Sequence, residues 1–334
     1  MSSVTSKLKS IWLVSIESIP AHRSFDFKNG DDASNYWGDR PQSGLVLLPV
    51  QDLRMSNIFI VHAHPEARSL TSSLKNLAVE TLTAEGHDVQ VSDLYAMHWK
   101  AVADAGDFPQ RKNANRLRYA SESGNAFANG TQPADVVAEQ QKLLWADAVI
   151  LTFPLWWFSA PAILKGWVER VYAHGFAYGV GQHGGDRWGD RYGEGSLAGR
   201  RAMVVVNIGG REPHYSERGV NGRLDEILWP IQHGALFYPG MQSMPPFPVY
   251  QSDRMTEERW PEVADAFRAR LRTLFTDAPI PYRTQNGGHY DGQQVLKPGL
   301  GEGETGLRIH LVQPGDPPER LKAELPQAAA LARI

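Results

Sequence analysis

Residues 134–171 read ADVVAEQQKLLWADAVILTFPLWWFSAPAILKGWVERV. Residues 134–145 read as a helix. Ala148 to Phe153 is an apolar run of strand length, interrupted only by Thr152, as expected of a strand covered on both faces. Pro154-Leu155-Trp156-Trp157-Phe158 then form a loop, and residues 163–172 return to helical spacing. Helix, buried strand, loop and helix in succession are the signature of a parallel sheet wrapped by helices.

Reading outward, the pattern repeats. Ile58-Phe59-Ile60-Val61 predicts another buried strand. Leu70, Leu74, Leu77, Ala78 and Leu82 space a helix over residues 69–85, with Gly86 where it would stop. Val89 and Val91 mark a second strand, and Met203 to Val206 a fourth. Residues 104–133 are polar and are expected to make an excursion across the surface. The expected fold is therefore α/β, a doubly wound parallel sheet with helices on both faces. Ligands of such sheets collect beyond the carboxyl ends of the strands, where the strand order reverses.

Three segments divide the 334 residues. Residues 1–54 carry loop-like clusters and lie ahead of Met55; they are expected to be a peripheral extension or a start assigned too early. Residues 55–283 are expected to form the main domain, and residues 284–334 a tail. In that tail Leu307 to Val312 is expected to add a short strand or to lie over a dimer, and Pro317 to begin a short terminal helix.

Apolar residues make up 42% of the chain and charged residues 21%, within the globular range. A net charge of −3 with no long basic block argues against nucleic acid as a partner. The absence of cysteine excludes disulfides, thiolate catalysis and thiolate metal sites. No apolar run reaches the ~20 residues that span a bilayer. Lys7 and Lys9 before residues 11–16 make a weak signal-peptide pattern that Glu17 interrupts, so a cytoplasmic protein is expected.

The segments after the strands carry the chemistry. His64, Ser69, Thr71 and Ser73 open the first helix, whose free N–H groups and dipole suit a phosphate. An ordinary Ser/Thr cap explains the same residues about as well. No glycine-rich nucleotide fingerprint is present. Trp156, Trp157 and Phe158 on one loop need covering, which a flat ligand, the core or a second subunit would provide. Asn207-Ile208-Gly209-Gly210 ends the fourth strand, and paired glycines let a backbone approach a ligand closely. A plain turn is the alternative there. Tyr215 follows with a phenolic hydroxyl. Phosphate donors, an aromatic ledge and a close-approach turn together describe a site for a planar phosphorylated cofactor, which a flavin fits best.

The residues 134–171 stretch, SDLYAM at 92–97, GFAYG at 175–179, the Gly209–Gly222 run and ILWPIQHG at 227–234 resemble the FAD-dependent NAD(P)H:quinone oxidoreductases. This is the DT-diaphorase family, of flavodoxin-like fold. The resemblance spans about residues 57–282. It implies two-electron reduction of quinones by NADH or NADPH in a ping-pong cycle, with FAD rather than FMN as the cofactor. It assigns His64, Ser69, Thr71 and Ser73 to the FAD phosphates. Pro154, Leu155, Trp156, Trp157 and Phe158 match the loop under the flavin ring, and Asn207, Ile208, Gly209 and Gly210 its edge. Tyr215 matches a tyrosine bonded near the ring, and Arg118 falls near the adenine end. Tyr178, Val180 and Tyr238 match residues that a second subunit of a homodimer places over the flavin. With Trp157 and Phe158 they would bind the acceptor.

Two departures matter. Many members of the family have a histidine at Asn221, paired with the tyrosine in a proton relay. Asparagine cannot hold a proton at neutral pH, which puts the choice between NADH, NADPH and a smaller dihydronicotinamide in question. A related dihydronicotinamide riboside quinone reductase binds a metal through two histidines and a cysteine. Here His233 matches one ligand, Phe237 replaces another and cysteine is absent, so no metal is expected. Two other functions stay open on this reading: a flavin-binding regulatory subunit of a potassium efflux antiporter, and a flavodoxin-like electron carrier.

Overall fold

The computed structural model describes residues 55–184 and 187–320. The extension expected over residues 1–54 lies outside them; of the terminal helix expected from Pro317, residues 317–320 are described and are not helical, and the rest lies outside the described residues. All the described residues belong to one compact unit, Gln51–Ile334.

The strands are β1 (Asn57–His62), β2 (Asp88–Asp93), β3 (Ala148–Pro154), β4 (His183–Gly184), β5 (Arg187–Trp188), β6 (Arg201–Ile208), β7 (Gln242–Ser243) and β8 (Phe247–Tyr250). The main sheet runs β2-β1-β3-β6, and β7 and β8 both pair with the outer edge of β6. Every pairing in it is parallel. The short β4–β5 hairpin stands apart. The chain leaves β1 toward β2 on one side and returns to β3 on the other. Its direction of travel therefore reverses between β1 and β3, and a crevice opens beyond His62 and Pro154. This is the flavodoxin-like fold expected from the sequence.

Strand side chains alternate between two cores. Phe59, Val61, Val149, Leu151, Val204 and Val206 face helices α3 (Ala134–Trp145) and α4 (Ala162–Val171). Ile58, Ile60, Ile150, Met203 and Val205 face α1 (Leu70–Ala84) and α6 (Trp260–Arg272), which follows the single-turn α5 (Leu224–Ile227) in the chain. Covering on both faces explains why the central strands β1, β3 and β6 are mostly apolar. Glu139 of α3 is fully buried yet fully bonded. Its carboxylate accepts from Trp167 Nε1 at 2.8 Å, Ser92 Oγ at 2.9 Å and Lys142 Nζ at 2.6 Å. One residue thus ties α3, α4 and β2 together, and removing any partner would strand a buried charge.

Three parts of the structure go beyond or differ from the sequence reading. Residues 104–133 contain helix α2 (Tyr119–Ala128). The buried Glu122 carboxylate accepts the N–H groups of Lys112 (2.7 Å) and Asn113 (3.0 Å), and this organises the preceding loop. The fifth strand position and α6 were not read from the sequence. Pro248 interrupts the β8 pattern, which an edge strand tolerates because its outer N–H has no ladder partner. Residues Gly306–His310 form a 3-10 turn rather than a strand, with a single bridge from Leu311 to Tyr282. Among the described residues no helix is long and apolar enough to cross a membrane.

Candidate cofactor site

The ends of β1, β3, β6 and β8 converge on a cavity of about 350 Å³. His64, Ser69, Leu70 and Thr71 line it from the first loop, and Pro154, Leu155 and Trp156 from the third strand. Asn207 and Gly209 come from the end of β6, and Ser252 and Asp253 from beyond β8. Leu70, Ser252 and Asp253 are additions to the residues expected from sequence. The last two follow the strand that the proline concealed.

At the first loop the Ser69 hydroxyl caps α1. It accepts the Ser72 N–H at 3.1 Å and donates to Ser72 Oγ at 3.0 Å. The Ser73 hydroxyl turns back to Ser69 O at 3.1 Å. Both hydroxyls serve the helix start itself. The N–H groups of Leu70 and Thr71 have no acceptor among the described residues, and they form the free positive end of the helix. His64 Nδ1 accepts the Glu66 N–H at 3.0 Å, and its ring lies 5.9 Å from that of Trp156.

The aromatic loop is a tight reversal. Trp156 and Ser159 exchange both backbone hydrogen bonds at 3.0 Å. Between them Trp157 and Phe158 take φ of 48° and 60°. Positive φ at both central positions defines a type I′ turn, which normally selects Asn-Gly. Two aromatic residues held there store strain of about 1–3 kcal/mol each. Trp157 is 95% exposed and Phe158 50%. Neither lines the cavity; they form a ledge beside it.

At the end of β6 the Asn207 side chain is 4% exposed. Its Nδ2 donates to Thr71 Oγ1 at 2.8 Å, while its Oδ1 is buried with no donor among the described residues. A buried acceptor without a donor is costly unless a ligand supplies one. Ile208 turns into the core, so only its backbone faces this region. A Cβ at Gly209 would lie 3.0 Å from Asp253 Oδ2, and one at Gly210 would lie 2.8 Å from the Tyr215 ring. Glycine at 210 is therefore what allows Tyr215 to lie over the backbone. The Asn221 N–H donates to His214 O at 3.0 Å, which brings Asn221 back to the turn that carries Tyr215.

Other expected residues stand elsewhere. Arg118 is exposed at the start of α2 and does not line the cavity. Tyr178 packs edge-on to His174 at 5.2 Å, and Tyr238 packs on Tyr192 at 4.9 Å; neither they nor Val180 border the cavity of their own chain. Phe237 and Tyr282 pack against His233, with ring centroids 5.6 and 5.0 Å away. Among the described residues no cluster of three or more His, Cys, Asp or Glu could hold a metal ion.

Residues 56–273 match the model of a family with the flavodoxin-like fold. A ribosyldihydronicotinamide dehydrogenase-like protein of Penicillium crustosum is 50% identical over 233 residues, 70% of this chain and 86% of its own. The NAD(P)H dehydrogenase (quinone) 1 of Rattus norvegicus is 37% identical, over 66% of this chain and 78% of its own. The crystal structure of a candidate quinone reductase from Klebsiella pneumoniae is 53% identical, with a TM-score of 0.75. That match covers 77% of this chain and all of the other.

Proposed function

The chain belongs to the NAD(P)H:quinone oxidoreductase family of flavodoxin-like fold and is an oxidoreductase, and on that premise we propose that it reduces quinones by two electrons in a ping-pong cycle with FAD held in the strand-end cavity. The observation that carries this reading is the convergence of three unlike features on one cavity. These are the open N–H groups of α1, the Pro154–Leu155–Trp156 wall after β3 with the Trp157–Phe158 ledge beside it, and the unpartnered Asn207 Oδ1 next to a close-approach glycine turn. They fit, in order, a phosphate chain, a flat ring and a donor on that ring.

When bound, the flavin supplies the two-electron redox chemistry, and the protein supplies binding, orientation and electrostatics. Leu70 and Thr71 N–H would hold phosphate. The Leu155 N–H is spent on Asn207 O at 2.8 Å, which fixes the ledge loop against β6 and so sets the height of the ring seat. The Tyr215 hydroxyl and the Gly209–Gly210 backbone would meet charge developing at the ring edge. Asn221 can orient but cannot store a proton, so Tyr215 acts there without a basic partner at that position.

The exposed ledge explains the proposed homodimer. A tryptophan 95% exposed beside a cavity is poorly tolerated unless something covers it. In a two-fold dimer each copy would lay Tyr178, Val180 and Tyr238 over the other's cavity, giving two equivalent acceptor sites with Trp157 and Phe158. A cytoplasmic location is part of the same proposal.

The test begins with the purified full chain. It should be yellow, release FAD on chromatography after denaturation, and oxidise NADH, NADPH or dihydronicotinamide riboside with menadione as acceptor. Release of FMN would point to an electron carrier. Tight flavin binding with negligible turnover would point to a regulatory subunit. A colourless chain that titrates with neither flavin would end the proposal.

A further inference from the structure

A second cavity, of about 410 Å³, opens between the Tyr192–Trp229–His233 face and the C-terminal segment. The segment contributes Arg283, Tyr290 and His310. We propose that it is a second ligand site, independent of the flavin, for a small planar organic carboxylate.

The charge inventory points to one anionic group. Arg283 is fully buried and already paired with Asp316 at 2.8 Å. Arg187 is likewise paired, with Asp190 at 3.0 Å. Arg191 differs: no carboxylate pairs with it among the described residues. Its Nε donates to Gln285 Oε1 at 2.5 Å, and Gln285 is in turn fixed through its Nε2 to Gly189 O at 3.0 Å. Its Nη1 lies 3.5 Å from the Tyr238 hydroxyl. The guanidinium, half-buried and 5.9 Å over the Tyr238 ring, is thus held in place with no carboxylate beside it among the described residues. A fork of N–H donors so held matches the two oxygens of a carboxylate.

The walls point to a flat body. His233 is stacked between Trp229 (4.4 Å, 21° between planes) and Tyr192 (4.8 Å, 29°). Burial lowers the His233 pKa to about 4, so the ring is neutral at physiological pH and adds a donor without adding charge. Its nitrogens have no protein partner among the described residues. Across the space the Tyr290 hydroxyl lies 2.9 Å from His310 Nδ1, and the two rings stack. One cation held this way, neutral donors and aromatic edges suit a monoanion on a ring better than a phosphate dianion, which would need more than one free cation.

The experiment is isothermal titration of the full chain, flavin-free and FAD-saturated, with benzoate, benzamide and inorganic phosphate. Benzoate is expected to bind once per chain in both forms. Benzamide, with the same ring and no charge, should bind at least ten-fold more weakly. Arg191→Gln should weaken benzoate at least ten-fold and leave FAD titration unchanged. Leu307→Trp, at the rim, should block benzoate by bulk and is a second probe that leaves Arg191 intact. Benzoate binding lost on FAD saturation would place it in the first cavity and overturn the proposal. So would equal binding of benzamide, tighter binding of phosphate, or Arg191→Gln and Leu307→Trp chains that bind benzoate like the native one.

Discussion

His62 Nε2 lies 3.1 Å from the Ser72 hydroxyl while its Nδ1 lies 2.8 Å from Thr152 Oγ1, so one buried imidazole joins β1, β3 and the first turn of α1. Ser72 passes the connection on, donating to Glu66 O at 2.9 Å and meeting the Ser69 cap. The open end of α1 is thereby fixed relative to the sheet. Burial is the main cause that lowers the His62 pKa from 6.5 to about 4, partly opposed by Asp93. Between those values the unfolded chain binds a proton that the fold refuses. Stability is therefore complete above about pH 6.5 and falls as pH drops toward 4, by on the order of 3 kcal/mol for this residue. His62→Gln keeps a donor and an acceptor but cannot titrate. Urea midpoints from pH 7 to 4.5 should fall less steeply in that variant. The slope will not vanish, because His233 is neutralised by burial in the same window. An unchanged slope would show that His62 does not carry the effect.

Asn207 and Thr71 form the second joint, between β6 and α1. Asn207→Leu keeps the volume, breaks this bond and removes the buried Oδ1. Loss of the bond should cost about 1–2 kcal/mol in denaturant unfolding of the flavin-free chain. If Oδ1 receives a donor from the flavin, the affinity for FAD should also fall, by roughly ten-fold. A variant destabilised without any change in FAD affinity would remove Asn207 from the cofactor site.

Much of this arrangement was legible in the sequence, because the signals are local. Apolar runs marked β1, β3 and β6, and helical patterns marked α1, α3 and α4. The strand-end rule then singled out His64, Thr71, Trp156, Asn207 and Gly209 as neighbours before any coordinates. What stayed hidden depends on non-local contacts. Glu122 looks like a solvent charge until two backbone N–H groups from the preceding loop arrive at it. Pro248 disguised β8 and with it Asp253, which stands 3.0 Å from where a Gly209 Cβ would be. The Trp157 and Phe158 backbone could not have been foreseen, since positive φ is not what aromatic residues prefer.

Gly210 and Tyr215 give a graded test of the ring edge. Tyr215→Phe removes only the hydroxyl, and turnover should fall about 10- to 100-fold, with little change in FAD affinity. Gly210→Ala would set a Cβ 2.8 Å from the tyrosine ring, which must then move. Its turnover should match that of Tyr215→Phe, and the double variant should be no worse than either single one. Additive losses in stopped-flow reduction would mean that the two residues act separately.

Asn221 tests whether a relay limits donor use. Asn221→His places a titratable ring on the turn bonded to His214 O, close in sequence to Tyr215. Reduction by NADH or NADPH should accelerate relative to dihydronicotinamide riboside, with a new dependence on pH near neutrality. Equal acceleration of all three donors, or none, would remove the relay as the source of donor preference.

The ledge loop sets stability against activity. Trp157 takes a φ of 48° with its ring in solvent, so the strain is not repaid by packing within the chain. Trp157→Gly relieves that conformation, although glycine also gains freedom in the unfolded state, which offsets part of the benefit. Thermal unfolding of the monomeric, flavin-free chain should shift upward by the equivalent of about 0.5–1 kcal/mol. The same change removes the ring expected to stack on flat acceptors and to be covered in the dimer. KM for menadione should rise several-fold, and the dimer should dissociate at lower dilution in sedimentation equilibrium. Should the variant prove less stable as a monomer, the tryptophan is packing within its own chain. The positive φ would then be the geometry that best seats it there, and the ledge would have lost its reason to await a partner.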